Sequence, residues 1–480
     1  MTRFLALVAL LALVASAPLA QDLGETEFAN SGAAEAQEPF LRGLLLLHSF
    51  EYDDAREAFQ QARALDPDFA MAAWGEAMTH NHPVWQRQDR DAMRAALDGV
   101  ETFPKTPREL DYLGTLSVLA GEGEKDERDD AYAEAMRELA DAYPDDLDAR
   151  AFYALALLGT AHEGRDFATY MQAAAVAEEV FAENPRHPGA AHYLIHAYDD
   201  PVHAPLGLRP ARAYADIAPS ASHALHMPSH IYLALGLWDD VAAMNERSYL
   251  AAKAGTDRRG EALNGHGWHA LWWWHYAALQ LGDVPLADRL LALARDLDDG
   301  SGTATAHRVR IGAQHAMATA DDSGLGDPPS LDVGVSTLAV DALPRVTMAL
   351  VRGEEGRARE VLATLAAAVR AAGDVPWHAE ATLWMVRSAL DTYAGNEPAA
   401  IEKLERAAQL EREAPLTFGP PAPVKMANEM LGAAWAMGGR WAEARGALEA
   451  ALARAPERRS VIEWLDAVEE GERAAATGGE

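Results

Sequence analysis

An all-α solenoid of about eleven stacked helix pairs is the fold class this sequence predicts. Strand signals are nearly absent along its 480 residues. A spacing of small residues, an aromatic and a closing proline is written near Tyr52 and written again near Leu431. Weaker copies of that frame fill the space between, and two good copies at opposite ends imply an array.

The elements follow in order. Residues 1–20, MTRFLALVALLALVASAPLA, carry one Arg, an apolar run of about a dozen residues and a small-residue end, the pattern of a secretory signal peptide. The run is too short and wrongly flanked for a spanning helix, so the mature chain is expected to be soluble and periplasmic or secreted. Residues 21–35 are expected to be a flexible leader. Residues 36–323 read as the first array, 324–336 as a Gly/Pro-rich loop, 337–456 as a second array, and 457–480 as a polar capping helix with a disordered GERAAATGGE end.

In the first frame Tyr52, Ala55, Phe59, Ala62 and Pro67 are the spaced positions; in the last they are Leu431, Gly432, Trp435, Ala444, Leu448, Ala451 and Pro456. Small residues let paired helices approach, the aromatic fills the gap, and proline stops the second helix. Ala173 with Pro185, Gly236 with Trp238 and Val241, Gly282 with Ala287, Ala358, and Gly395 with Ala400 mark intermediate copies. The frame is poorest over residues 84–103 and 303–335.

This pattern resembles the tetratricopeptide repeat. The resemblance implies a right-handed superhelix and a concave groove that receives a protein or peptide partner. That groove is lined by the second, fifth, ninth, twelfth and thirteenth slots of each first helix. The segment HMPSHIYLALGLWDDV is similar to one in uncharacterised exported bacterial proteins of this type.

Composition bounds the chemistry. The hydrophobic fraction of 49% supports a large folded core, and 74 acidic against 41 basic residues give a formal charge of −33. An anionic chain of this kind disfavours nucleic acid and membrane surfaces. With no cysteine, disulfides, thiolate metal sites and a lipoprotein anchor are excluded. The phosphate-binding, nucleophile-elbow and H-E-x-x-H motifs are absent, so no nucleotide cofactor is expected.

What remains is histidine. Ten of the seventeen fall between His187 and His275, where composition alone would place about three. On the repeat frame, Pro185 closes one unit and the next opens at Pro188, placing His192, His196 and Asp199 in its fifth, ninth and twelfth slots. The following unit opens at Ser222 and puts His223, His226 and His230 in groove slots. The next opens at Trp268 and does the same for His269, Trp272 and Tyr276. Without the family, spacing agrees: His192 and His196 are i,i+4, His223 and His226 i,i+3, and His226 and His230 i,i+4, so each set shares a helix face.

A lone histidine on an apolar face is more often a hydrogen-bonded core residue than a ligand, but six together point to a transition-metal site, of zinc, copper or iron. His192, His196, His226 and His230 are the leading ligands, with His223 and His269 next. Asp199 or Asp200 would complete the shell, orient a ligand or act as a base. Trp272, Tyr276, Trp74, Met78 and His82 are expected to wall the groove. His187, His203 and His266 fall in connections and His275 at a packing slot. Pro228 either kinks the middle helix or starts it. Such a site would serve metal binding or metal-assisted chemistry; the alternative is a scaffold that holds a protein or peptide without metal.

Overall fold

The computed structural model describes residues 21–330, 333–417 and 419–477. The expected signal peptide, 1–20, lies outside the described residues. Helix pairs follow one another along the chain: α1 (Gln37–His48) with α2 (Tyr52–Leu65), α3 (Ala70–Met78) with α4 (Arg90–Ala96), α5 (Pro107–Leu119) with α6 (Lys125–Ala142), and α7 (Leu147–Gly159) with α8 (Phe167–Glu183). Next come α9 (Pro188–Tyr198) with α10 (Ala204–Ile217), and a first helix in two pieces, α11 (Ser222–His226) and α12 (Pro228–Ala234), with α13 (Trp238–Arg259). Then α14 (Gly265–Leu281) pairs with α15 (Val284–Asp296), α16 (Gly302–Thr319) stands without a second helix, and α17 (Val335–Val351) pairs with α18 (Glu355–Ala371). The chain closes with α19 (Trp377–Tyr393) and α20 (Glu397–Glu413), α21 (Ala427–Met437) and α22 (Trp441–Arg454), and α23 (Arg459–Thr477). Among the described residues the only sheet is the two-residue hairpin Asn81–His82 with Arg87–Gln88. The described residues thus form an all-α solenoid of ten pairs plus α16 and α23.

Local chemistry explains where the helices begin. Thr106 and Glu109 form a reciprocal capping box on α5, and the side chains of Asp146, Asp166, Asn264, Asp283 and Ser301 accept from the first-turn amides of α7, α8, α14, α15 and α16. Buried alanines line the pair interfaces, with large anchors such as Phe59, Phe152 and Trp268 between them. The poor frame at 84–103 corresponds to the hairpin and the short α4; that at 303–335 corresponds to the unpaired α16 and the connection before α17.

Two terminal expectations are corrected. Residues 21–33 carry no helix, yet they are pinned: Leu23 and Phe28 are buried, the Glu25 amide donates to the Arg186 carbonyl (3.0 Å), Thr26 Oγ1 donates to Asp148 (2.7 Å), and the Ser31 amide donates to Glu109 (2.8 Å). The anchors are long-range partners that a segment lacking periodicity does not announce. At the other end α23 runs on to Thr477. Val461 and Val468 are buried, Trp464 and Leu465 pack beside them, and Gly471 lies against the Trp441 ring, so the helix is amphipathic rather than polar.

The chain end also turns back on the middle of the array. Trp238 Nε1 donates to the Glu457 carbonyl (3.0 Å), Arg458 donates to the Tyr276 hydroxyl (3.3 Å), and the Arg459 amide donates to Gln280 (3.1 Å). Tyr276 is therefore a buried contact of this closure, and the cavity it lines is bounded by α14, α16 and α23.

His275 occupies a packing position, buried with its Nε2 3.2 Å from His315 Nδ1. Burial, with His315 adding to it, pushes its pKa down to about 3, against about 6.5 in the unfolded chain. A depressed folded-state pKa contributes stability that is present above 6.5 and lost as the pH falls toward 3. His275→Gln is expected to lower the acid-unfolding midpoint and to remove about 1.4 kcal/mol per pH unit of slope in that window, read by circular dichroism of denaturant melts at stepped pH.

Candidate metal centre

Three stacked first helices bring the imidazoles together. α9 carries His192 and His196, α11 and α12 carry His223, His226 and His230, and α14 carries His269. Pro228 interrupts the hydrogen-bond ladder without turning the chain. Met227 keeps helical dihedrals (φ −55, ψ −37), the Met227 amide still reaches the His223 carbonyl, and the His230 amide bonds the Met227 carbonyl three residues back. The histidine stripe therefore crosses the break intact.

The six histidines divide into two sets, His192/His196/His223 and His226/His230/His269, in each of which one ring nitrogen per residue lies within 4.8 Å of the others. Ligand nitrogens about 2.0–2.1 Å from a tetrahedral ion are roughly 3.3 Å apart, so small side-chain rotations complete either set. The grouping corrects the expectation of one ion held by His192, His196, His226 and His230: the i,i+4 pairs belong to different sets, each completed by a third histidine.

Proton positions follow from the partners. His230 Nδ1 faces Asp199 Oδ2 at 2.6 Å and so carries the hydrogen. Asn245 Nδ2 donates to the Val241 carbonyl, which turns Asn245 Oδ1 toward His226 Nδ1 at 2.7 Å and makes that nitrogen a donor too. In the neutral imidazoles this leaves both Nε2 atoms as lone pairs, and the two atoms face each other at 3.0 Å. Two lone pairs at that separation repel unless a proton or a metal ion sits against both.

In the other set His192 Nδ1 donates to the His48 carbonyl (2.7 Å), leaving Nε2 free. His192 Nε2, both nitrogens of His196, and His223 Nε2 are buried without a hydrogen-bond partner. A buried polar atom left unpaired costs about 1–3 kcal/mol, so the concentration of four in one place marks a set of donors arranged for a ligand. Burial holds His192 down at about 3 and lowers His196, His223, His226 and His269 well below the ordinary imidazole range, with their neighbouring histidines adding to the effect. They are neutral at physiological pH, the form that binds metal.

The surroundings differ from expectation in several places. Asp199 supports His230, but Asp200 turns away: it pairs with Arg165 (2.9 Å) and with His203 Nδ1 (2.9 Å), fixing the turn from α9 to α10. Trp272 donates to Gln314 (2.9 Å), and its ring lies 5.6 Å from His269 at the edge of the site. The indole that walls the site is Trp273, 4.7 Å from His226 and 4.5 Å from His230 between ring centroids. Gly419 (φ +83) passes over it so closely that a Cβ there would come within 2.5 Å of the ring. Trp74 is core, packed edge-on against Tyr112 and Phe152, and Met78 is buried against Tyr132. Both are enclosed by neighbouring helices: Tyr112 of α5 and Phe152 of α7 lie against Trp74, and Tyr132 of α6 lies against Met78. His82 stacks on Tyr52 at 3.8 Å and lies 6.2 Å from Trp85, whose ring is in turn 6.1 Å from His223.

Sequence reasoning missed Phe50, Glu51 and His266. Phe50, at φ 55, lays its ring 4.3 Å from His192 and 5.8 Å from His223. Glu51 accepts from the His223 amide (2.9 Å) and pairs with His266 Nδ1 (3.3 Å). Burial works against the charge on His266, but Glu51 outweighs it and raises the pKa. His266 is in the first turn of α14, partly exposed and 5.0 Å from His223.

A further buried group, His48, Asp148 and His187, lies behind the first set. His48 Nε2 meets Asp148 at 2.8 Å and its Nδ1 meets the Tyr193 hydroxyl at 2.9 Å; His187 Nε2 is 3.4 Å from the same carboxylate oxygen. Gly189 is required here, since a Cβ would meet the His48 ring at 2.3 Å. The His48 side chain is satisfied internally, and its backbone carbonyl positions His192.

Residues 40–69 match the family model of the tetratricopeptide repeat. No curated protein matches the chain. Among solved structures, the human IFIT1 dimer with m7Gppp-AAAA is similar with a TM-score of 0.40 and 11% identity, covering 92% of this chain and 91% of that one. Yeast Tom70 is similar with a TM-score of 0.38 and 12% identity, covering 91% and 89%. A thermophilic repeat protein of Thermus thermophilus has a TM-score of 0.28 and 16% identity, covering 47% and 95%. No helix among the described residues is long and apolar enough to cross a membrane.

Proposed function

We propose that this tetratricopeptide-type helical solenoid is an exported protein that binds zinc, copper or iron through two three-histidine sites on successive first helices. The observation that carries the reading is the convergence of buried imidazole nitrogens, with His226 Nε2 and His230 Nε2 3.0 Å apart and His192 Nε2, His223 Nε2 and both nitrogens of His196 without a partner. Neutral imidazole suits these metals, whereas magnesium and calcium require oxygen ligands that the two sets do not offer. His269 is the one half-buried ligand of the six, so the His226 set lies nearest the solvent.

The test is elemental analysis of the full chain, expressed without an affinity His tag, beside a His192→Ala/His230→Ala variant. Near-stoichiometric metal that disappears in the variant supports the proposal. Metal-free protein that also fails to take up added zinc or copper sinks it, and leaves a scaffold whose imidazoles serve as hydrogen-bonding contacts to a protein or peptide.

Asp199 provides a finer check. A carboxylate that accepts from the far nitrogen of a ligating histidine fixes its tautomer and raises its basicity, and its loss typically costs 10- to 100-fold in affinity. Asp199→Ala is therefore expected to weaken zinc at the His230 set by about that factor and to leave the His192 set unchanged, as read by competition with a chromophoric chelator.

A further inference from the structure

We propose that the two three-histidine sets form one dinuclear centre, in which two transition-metal ions share a bridging hydroxide or water. The inference rests on the metal-binding reading and concerns how the two ions relate.

Within the sets, ring centroids are 4.8 Å apart for His192/His196, 5.0 Å for His192/His223, 4.9 Å for His226/His230 and 4.7 Å for His226/His269. Across the sets, His196/His230 and His223/His226 are each 6.1 Å apart. Crossing from one set to the other thus adds only about an ångström to the spacing inside a set. The two crossings are independent in the chain: His223 and His226 are three residues apart on α11, whereas His196 and His230 come from α9 and α12. Ions bound at ring tips packed this closely are neighbours, in the range of roughly 3.5–4 Å at which paired metals share an oxygen.

Charge and valence specify the bridge. Two divalent ions side by side in a buried site repel, and six neutral imidazoles bring no negative charge to offset that. The nearest carboxylates are already committed, Asp199 to His230 Nδ1 and Glu51 to the His223 amide. A neutral imidazole offers a single lone pair and does not bridge. The shared ligand must come from solvent, and a hydroxide supplies both the anion and the second lone pair. His196, whose two ring nitrogens are both unpartnered, stands at the boundary between the sets.

Copper(II) alone is a sufficient probe. The full chain, without an affinity tag and stripped with chelator, is loaded to saturation; bound copper is counted by mass spectrometry and unpaired spins by electron paramagnetic resonance. A hydroxide bridge couples the two electrons, so the expected result is two coppers per chain with a spin count several-fold lower. His223→Ala and His269→Ala are each expected to bind one copper with its full isolated signal. If either variant loses its helical circular dichroism, the wild-type ratio of spins to copper decides alone. Two coppers with two full, uncoupled spins, or a single copper per chain at saturation, would overturn the dinuclear centre and leave metal binding standing. No copper bound would overturn both.

Discussion

His226→Ala is expected to weaken zinc binding at its set by more than 100-fold, beyond the roughly 10- to 100-fold that loss of a ligand's supporting hydrogen-bond partner costs. His226 is the hub of that set: its ring is 4.9 Å from His230 and 4.7 Å from His269, and its Nε2 lies 3.0 Å from His230 Nε2. Alanine leaves two protein ligands where a tetrahedral zinc site takes three or four. Stability should follow. A metal at 100 times its dissociation constant adds about 2.7 kcal/mol to the folded state, so chelation is expected to lower the melting temperature of the wild type more than that of the variant. Chelator competition and paired thermal melts check both halves. An unchanged affinity would show that His226 is not a ligand.

Asp148→Ala is expected to destabilise the fold by several kcal/mol, at about 1–3 kcal/mol for each buried hydrogen-bond partner left unpaired. Asp148 is fully buried and meets His48 Nε2 at 2.8 Å, His187 Nε2 at 3.4 Å and Thr26 Oγ1 at 2.7 Å. Burial alone would raise its pKa, but the hydrogen bonds and charges of His187 and His48 outweigh that and hold it well below the carboxylate range. Its contribution is accordingly present above an unfolded-state value of about 4 and lost as the pH falls below it. Denaturant midpoints at neutral pH read the loss. Because the His48 carbonyl also holds His192 Nδ1, the variant should weaken metal at the His192 set while sparing the His226 set. Equal stability of variant and wild type would make the buried group dispensable.

The repeat frame was readable because its spacing reports packing directly. Phe59 fills the interface of the first pair, and Leu448 and Ala451 do the same in the last. The leader and α23 were misjudged for one reason, that their anchors lie outside their own segments. Glu25 and Thr26 are held by Arg186 and Asp148, far along the chain, and Val461 and Val468 pack on the preceding pair. Trp74, Met78 and Tyr276 carry groove positions on the frame, yet Tyr112 of α5 and Phe152 of α7 lie against Trp74, and the returning Arg458 covers Tyr276.

The candidate site divides in the same way. An i,i+4 spacing obliges two imidazoles to leave one helix face together, so the sequence by itself determined that His192 with His196, and His226 with His230, are neighbours inside an array of helix pairs. It also determined that no thiolate competes with them. Only the tertiary structure decided that His223 completes one pair and His269 the other, that Trp273 rather than Trp272 closes the wall, and that Asn245 and Asp199 set the tautomers. Those outcomes depend on how far each helix is displaced and rotated against the next, a sum of many side-chain contacts that no local spacing encodes.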